Sequence, residues 1–180
     1  MMAMKRAIVL IAGASLCLLA CAHAPTQPGE RADLVRNAQA TLAKMEAKDP
    51  SLRPLIDNSV GYIVFPAVGS GGFIIGAGAG DGVLFEHGQV SHFATVEHLA
   101  AGAIAGGQRY SQVVVIKDPS ALNAMKSGRF DFGAHASAVI VRTGAAATAT
   151  FENGVAVFQE PIHGAMVNAS VGGQRIRLTL

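Results

Sequence analysis

The 180-residue sequence is poor in cysteine, with two residues, Cys17 and Cys21. Both lie within the first 21 positions, in a segment with the features of a cleaved leader. A chain processed before Cys21 and acylated on that residue would retain no thiol for a disulfide, a metal or a nucleophile. These roles are therefore excluded, although an exported protein would meet conditions that permit disulfides.

Motifs that mark common enzymes and nucleotide-binding proteins are also missing. The sequence has neither a GxxxxGK[ST] phosphate loop nor a GxSxG nucleophile elbow. His87, His92 and His98 follow at spacings of five and six, which match no zinc signature. Acidic pairs such as Asp118 and Asp131 have no spacing that indicates acid–base chemistry. We therefore predict no catalytic residue, metal site or cofactor, and a protein that is not an enzyme.

The first 20 residues have the pattern of an export signal. Lys5 and Arg6 form a positive start, and residues 7–20 are apolar or small. This run is shorter than the ~20 residues of a membrane-spanning helix and suits a secretory signal. Leu18-Leu19-Ala20-Cys21 resembles a lipobox, so residues 1–20 are predicted to be a lipoprotein signal peptide and Cys21 to be acylated. The alternative is an ordinary signal peptide cut near residue 22 or 24, with Cys21 incidental.

Removal of this leader changes the charge balance. The sequence contains 14 basic and 12 acidic residues, and the leader holds two of the basic ones. The remaining chain has equal numbers of each, which argues against a generally basic protein that binds nucleic acid. Residues 21–29 read as the lipidated cysteine and a flexible tether. Ala22 after the cysteine resembles lipoproteins of the bacterial outer membrane, so we expect a lipid anchor there and a domain facing the periplasm.

The glycine-rich stretch at residues 60–85 is the most distinctive part of the chain. It begins as a predicted strand at residues 61–65, which Pro66 is expected to end. Asp81-Gly82 is expected to turn the chain. Glycines at alternate positions of a strand share one face, which is open to close approach by another strand, a helix or a ligand. The glycine signature comprises Gly71, Gly72, Gly76, Gly78, Gly80 and Gly82.

This stretch resembles the signature of the SYLF domain family. The matching residues are Gly61-Tyr62, Val64-Phe65-Pro66, Gly71-Gly72-Phe73, Gly76 and Gly80-Asp81-Gly82-Val83-Leu84. The resemblance continues towards Leu180 and implies a SYLF-like domain at residues 30–180. It also implies binding of lipid or actin and, through the N-terminal helical region, contact with lipid. Actin is not expected as a partner of an envelope lipoprotein, so anionic phospholipid is the implied ligand.

Residues 30–48 are predicted to form an amphipathic helix, with Leu34, Ala38, Leu42 and Met45 on one side. This stripe could pack on a sheet, or the helix could lie on a membrane with a basic flank. Lys44, Lys48 and Arg53 would form that flank. The stripe has few large residues, which favours packing, although a helix at the domain rim can do both.

The rest of the chain is predicted to be mainly strands, including segments at residues 148–151 and 166–171. Asp118 and Pro119 are expected to begin a short crossover helix, and Asn153-Gly154 a hairpin turn. On the last strand Arg175 and Arg177 share a face, where they would either attract anionic lipid or protect a strand edge. The predicted fold is α+β, with both helices packed on a strongly curved, largely antiparallel, barrel-like sheet.

Two functions from different classes are consistent with these patterns. The first is an envelope lipoprotein whose SYLF-like domain binds lipid or a membrane surface. The tentative lipid-binding residues are Lys44, Lys48, Arg53, Arg175 and Arg177. The alternative is a structural or protein-interaction module of the envelope, in which the acyl chain on Cys21 makes the sole contact with lipid.

Overall fold

The computed structural model describes residues 27–72, 75–101, 106–128, 130, 138–163 and 173–180. The predicted signal peptide, Cys21 and most of the tether lie outside these residues. So do the predicted strand at residues 166–171 and two positions discussed above, Phe73 and Asp131. Within the described part of the chain, no helix is long and apolar enough to cross a membrane.

The described residues form a mixed α+β fold, as predicted, in which helices pack on a seven-stranded sheet. The elements are α1 (Pro28–Lys48), α2 (Leu52–Asp57), β1 (Gly61–Gly72), β2 (Ile75–Glu86), β3 (Gln89–Ala101), β4 (Gly106–Ile116), α3 (Pro119–Lys126), β5 (Ala138–Ile140), a 3₁₀ turn (Ala146–Thr148), β6 (Val155–His163) and β7 (Gln174–Thr179). The strand order is β5-β6-β4-β1-β2-β3-β7. Neighbouring strands are antiparallel except β5 and β6, which are parallel.

The sheet is strongly curved but not closed. Four strand spacings separate β4 from β7, a distance of about 19 Å in a flat sheet. Nevertheless, Gln112 Nε2 of β4 lies 3.2 Å from Gln174 Oε1 of β7, so the sheet bends until side chains on its concave face meet. Helix α3 contacts both strands on this side. Because β5 and β7 stand at the two ends of the strand order, the expected barrel-like closure is not confirmed.

Helix α1 packs across the opposite, convex face of the sheet. It begins at Pro28, two residues before the predicted start, and ends at Lys48 as predicted. Ala38 and Met45 are fully buried in a core that includes Val64 and Val83. The apolar stripe is therefore used for packing, the reading that the sequence favoured.

Contacts at the two ends of α1 fix its direction across the sheet. Near its start, the Arg31 guanidinium lies 4.7 Å from the centre of the Phe93 ring on β3. Near its end, Lys48 Nζ lies 3.5 Å from Glu160 Oε1 on β6. The helix thus crosses from the β3–β7 side of the sheet to the β6 side.

Pro66 does not end β1, contrary to the sequence prediction. The strand continues to Gly72, and its pairing with β4 shifts register between Phe65 and Val68. Proline is tolerated at such a bulge because its missing N–H would not serve a regular ladder. Ser111 on β4 donates its hydroxyl to the Pro66 carbonyl oxygen at 2.8 Å, so the irregular backbone is hydrogen-bonded.

The predicted turn at Asp81-Gly82 is also wrong, because β2 runs without interruption from Ile75 to Glu86. Asp81 stays in the strand and accepts a hydrogen bond from Thr95 Oγ1 of β3 at 3.2 Å. The actual turn is at His87 and Gly88, which have φ values of 51° and 76°. His87 and Gly88 therefore form the hairpin turn between β2 and β3, and Asp81-Gly82 pairs with β3 as part of the strand.

The predictions for α3 and for the following turn are confirmed. The Asp118 side chain accepts a hydrogen bond from the Ser120 N–H at 2.8 Å, and Pro119 occupies the first turn. Asn153 and Gly154 adopt φ values of 50° and 76° before β6. In contrast, the predicted strand at residues 148–151 is wrong. The chain there follows a 3₁₀ turn, and Glu152 forms an isolated bridge with Val155.

Candidate functional surfaces

The glycine face of β2 lies on the concave side and is filled by neighbouring strands. An added Cβ at Gly80 would lie 2.6 Å from the carbonyl oxygen of Ala67, in the β1 bulge. At Gly82 it would lie 2.5 Å from Cδ1 of Phe65. At Gly78 it would meet the imidazole of His98 at 2.0 Å. The glycines therefore admit a bulge and bulky side chains from adjacent strands, and these three positions do not line an open groove.

The remaining signature glycines lie where β1, β2 and β4 approach the end of the sheet. Gly72 pairs with Gly76 in β2 and with Gly106 in β4, and Gly71 pairs with Ala77 and Gly107. This end of the sheet is formed by backbone pairing of small residues on three adjacent strands.

Three glutamines form a buried hydrogen-bonded cluster on the concave face, which the sequence did not reveal. Gln112, Gln159 and Gln174 are all at most 3 % exposed. Gln112 Oε1 accepts from Gln159 Nε2 at 2.8 Å and from Gln174 Nε2 at 3.2 Å. Because the partners are 47 and 62 residues from Gln112, no local spacing could have indicated the cluster. Mutually satisfied amides stabilise a specific packing arrangement and supply no acid or base.

Two titratable side chains lie beside this cluster. Burial raises the pKa of Tyr110 and outweighs the lowering effect of a hydrogen bond with Gln174. Burial lowers the pKa of His98, and its Nδ1 is buried without a hydrogen-bond partner. The two rings are tilted, with centroids 6.2 Å apart. Burial thus favours the neutral forms of both side chains.

The structure does not assemble the three histidines into a metal site. His87 lies in the β2–β3 turn, and His92 Nδ1 contacts the Ser91 hydroxyl at 2.7 Å. His98 lies on the concave face. Across the described residues, no group of three or more histidine, cysteine, aspartate or glutamate side chains could hold a metal ion.

The basic residues predicted to bind lipid separate into two groups. Lys44 and Lys48 share Glu160 Oε1, with Nζ–O distances of 3.2 and 3.5 Å. The Glu160 side chain is 6 % exposed, whereas those of the two lysines are 64 % and 46 % exposed. Arg53 contacts both Glu46 and Asp57. Two ammonium groups therefore share one carboxylate, while Arg53 lies between two carboxylates.

The second group is at the other end of α1. Arg175 and Arg177 of β7 pair with Glu97 and Thr95 of β3. The Arg177 guanidinium also forms a 2.7 Å ion pair with the Glu97 carboxylate, and its side chain is 59 % exposed. Because β6 and β7 lie at opposite sides of the sheet, the five predicted residues do not form one continuous patch.

Asp49, which follows the last residue of α1, is a buried structural residue that the sequence patterns did not indicate. It is 1 % exposed. Its oxygens accept hydrogen bonds from the Ser51 hydroxyl at 2.6 Å and from the N–H groups of Gly144 and Ala146 at 3.0 and 2.7 Å. Burial raises the pKa of Asp49, but the hydrogen bonds outweigh it and hold the pKa below its ordinary value. This carboxylate joins the α1–α2 connection to residues 144–146.

Comparison with known proteins identifies the domain over part of the chain. Residues 97–178 match the family model Ysc84, described as Las17-binding protein actin regulator. This is the SYLF domain, and the match confirms the predicted family. It extends from the second half of β3 to β7 and so lies outside the glycine-rich stretch that suggested the family. No curated protein matches the chain.

Proposed function

We propose, from the SYLF domain that residues 97–178 carry, that this protein is a lipid-anchored component of the bacterial envelope. Its non-catalytic domain would bind the surface of anionic phospholipid membranes. The observation that carries the proposal is the domain itself, which belongs to a family of lipid- and actin-binding modules. Of the two ligands, lipid is the one that an exported protein meets.

The packing of the described residues favours binding at a surface over binding in a cavity. The concave face is filled by α3, by Phe65 and Val68 over the glycines, and by the glutamine cluster. An acyl chain would have to displace this core. Lipid head groups can instead be reached by exposed basic side chains on the convex face, each contributing about 1 kcal/mol of attraction near an anionic surface.

The existing ion pairs do not prevent this role. An exposed ion pair contributes at most about 1 kcal/mol, so a guanidinium or ammonium can exchange its carboxylate for a lipid phosphate at small cost. Arg177 illustrates the point, since its side chain is 59 % exposed and its partner, the Glu97 carboxylate, is also exposed.

Sedimentation with vesicles tests the binding proposal. Residues 27–180, which contain no cysteine and no anchor, are mixed with anionic or neutral vesicles at low and high salt. We expect binding to anionic vesicles that weakens with salt, because screening shortens the reach of surface charges. Failure to bind either vesicle would refute lipid binding by the domain.

The anchor is tested separately in the full-length chain. We expect acylation at Cys21 with loss of residues 1–20, visible as a mass shift of the mature protein and as its flotation with the outer membrane. The Cys21→Ser variant would remain unacylated. An unmodified Cys21 in the mature wild-type chain would refute the anchor and support the ordinary signal peptide.

A protein-interaction module is the second candidate. The matched family description itself names a protein ligand, Las17, and β5 and β7, the edge strands of the sheet formed by the described residues, are candidate sites for an added strand. This candidate would be favoured if the domain does not sediment with vesicles but binds an envelope protein from cells.

A further inference from the structure

Large apolar side chains that are exposed in the described residues occur in one region. Val90 is 43 % exposed and Leu180 is 84 % exposed. Val90 lies at the start of β3, and continuing the register that pairs Phe93 with Thr179 places Leu180 opposite His92, two residues farther along that strand. Val90 pairs with Phe85 of the convex core, whereas Leu178, two residues before Leu180, packs against the concave core. The two exposed side chains are therefore at the same end of the sheet, and we name this end, with Arg31 and Arg177, the β3–β7 corner.

Basic side chains border this apolar rim. Arg31 of α1 donates from Nη2 to the main-chain oxygen of Leu180 at 2.9 Å and lies over the Phe93 ring. Arg177 lies two residues before Thr179 on β7, with its side chain 59 % exposed. Apolar side chains flanked by arginines suit an interface between the acyl region of a bilayer and its phosphates.

The position of α1 relates this corner to the proposed anchor. The α1 helix begins at Pro28, on the β3–β7 side of the sheet. Six residues from Cys21 to Gln27 span at most about 21 Å, so an acylated Cys21 holds the start of α1 near the bilayer. Lys48, at the other end of the helix, lies about 30 Å farther along its axis.

We propose that the β3–β7 corner is the surface that docks on the membrane, with Val90 and Leu180 entering the head-group region and Arg31 and Arg177 facing lipid phosphates. This inference rests on the proposed lipid anchor and specifies how the domain is oriented. The Lys44–Lys48 end of α1 then points away from the bilayer. In the competing arrangement, α1 lies flat on the membrane and both of its ends contact lipid.

Depth-dependent quenching in the lipidated full-length chain tests the orientation. With Cys17 removed and Cys21 acylated, a single introduced cysteine can carry an environment-sensitive fluorophore. Probes at Val90→Cys and Lys48→Cys are compared in anionic vesicles containing a spin-labelled lipid quencher. We expect quenching at position 90 to exceed that at position 48 at least about threefold. Equal quenching, stronger quenching at 48, or none at either position would overturn the proposed orientation.

A matched pair of charge variants tests the arginine contact. Arg177→Gln and Arg53→Gln each remove one exposed guanidinium that is paired with carboxylate. Arg177→Gln should reduce docking of the position-90 probe about fivefold, and Arg53→Gln should leave it unchanged. Equal effects would overturn the role of Arg177. A chain that fails to float with vesicles would instead refute the proposed anchor, so the two failures are distinguishable.

Discussion

Gly80 offers a direct test of the idea that the glycine run shapes the sheet. Gly80→Ala places a Cβ 2.6 Å from the Ala67 carbonyl oxygen and 3.0 Å from both Cα and Cγ2 of Val68. The first two atoms are backbone of the β1 bulge, so the clash cannot be relieved by rotating a side chain. Overpacking of this kind destabilises by about 1–3 kcal/mol.

Gly69 provides the matched control in the adjacent strand. A Cβ at this position meets no atom within 4 Å, and its φ is not among the positive values of the described glycines. Gly69→Ala also restricts the unfolded chain, which stabilises by about 0.4–1 kcal/mol at a compatible site. The two alanine variants are therefore expected to differ in unfolding free energy by about 2–3 kcal/mol.

Urea denaturation followed by far-ultraviolet circular dichroism measures this difference. With a slope of about 2 kcal/mol per molar urea, the midpoints of Gly80→Ala and Gly69→Ala should lie at least about 1 M apart. The reasoning is refuted if the two midpoints coincide, or if Gly80→Ala is the more stable protein. A change in slope with unchanged midpoint would also count against it, because the clash acts on the folded state.

Two further predictions concern buried polar groups. Asp49→Asn should cost about 2–3 kcal/mol at pH 7, because an amide cannot accept all the hydrogen bonds that the buried carboxylate receives. Since the pKa of Asp49 is lowered on folding, this advantage of the native residue should be full above about pH 4 and decline as pH falls through the folded-state pKa. Urea midpoints at pH 7 and 3 check both statements. Gln112→Leu should lower the thermal midpoint by at least about 4 °C, as it leaves the buried Gln159 and Gln174 amides unpaired; an unchanged midpoint would contradict this role of the cluster.

Elements with strong local signals were predictable from the sequence. The apolar spacing of α1 and the Asp118-Pro119 start of α3 act within a few residues, and the structure contains both helices. The turn at Asn153-Gly154 is local in the same sense, because two consecutive positive φ values suit these residue types. Such features need little information from the rest of the fold.

Elements that depend on distant partners were misread. Pro66 would end an isolated strand, yet β4 supplies the Ser111 hydroxyl that supports its bulge. Asp81-Gly82 would form a turn in an isolated hairpin, yet β3 pairs with both residues, Asp81 with Thr95 and Gly82 with Ala94, and holds them in β2. The glutamine cluster joins β4, β6 and β7 across the concave face. In each case the decisive contact comes from another strand, which the local sequence pattern does not identify.

The positions of the glycines distinguish residues that shape the sheet from residues that are proposed to bind the membrane. Gly78, Gly80 and Gly82 face the concave core, where Phe65 and Ala67 come closer to them than any Cβ would permit. Their alternation therefore explains how β1 can bulge against β2 in a strongly bent sheet. It does not require a ligand at these positions. The exposed arginines and apolar residues are on the other side or at the rim, carried by α1, β3 and β7. A substitution in the glycine run should consequently alter membrane binding only through the fraction of folded protein, whereas a substitution at the β3–β7 corner should alter binding in a protein of unchanged stability.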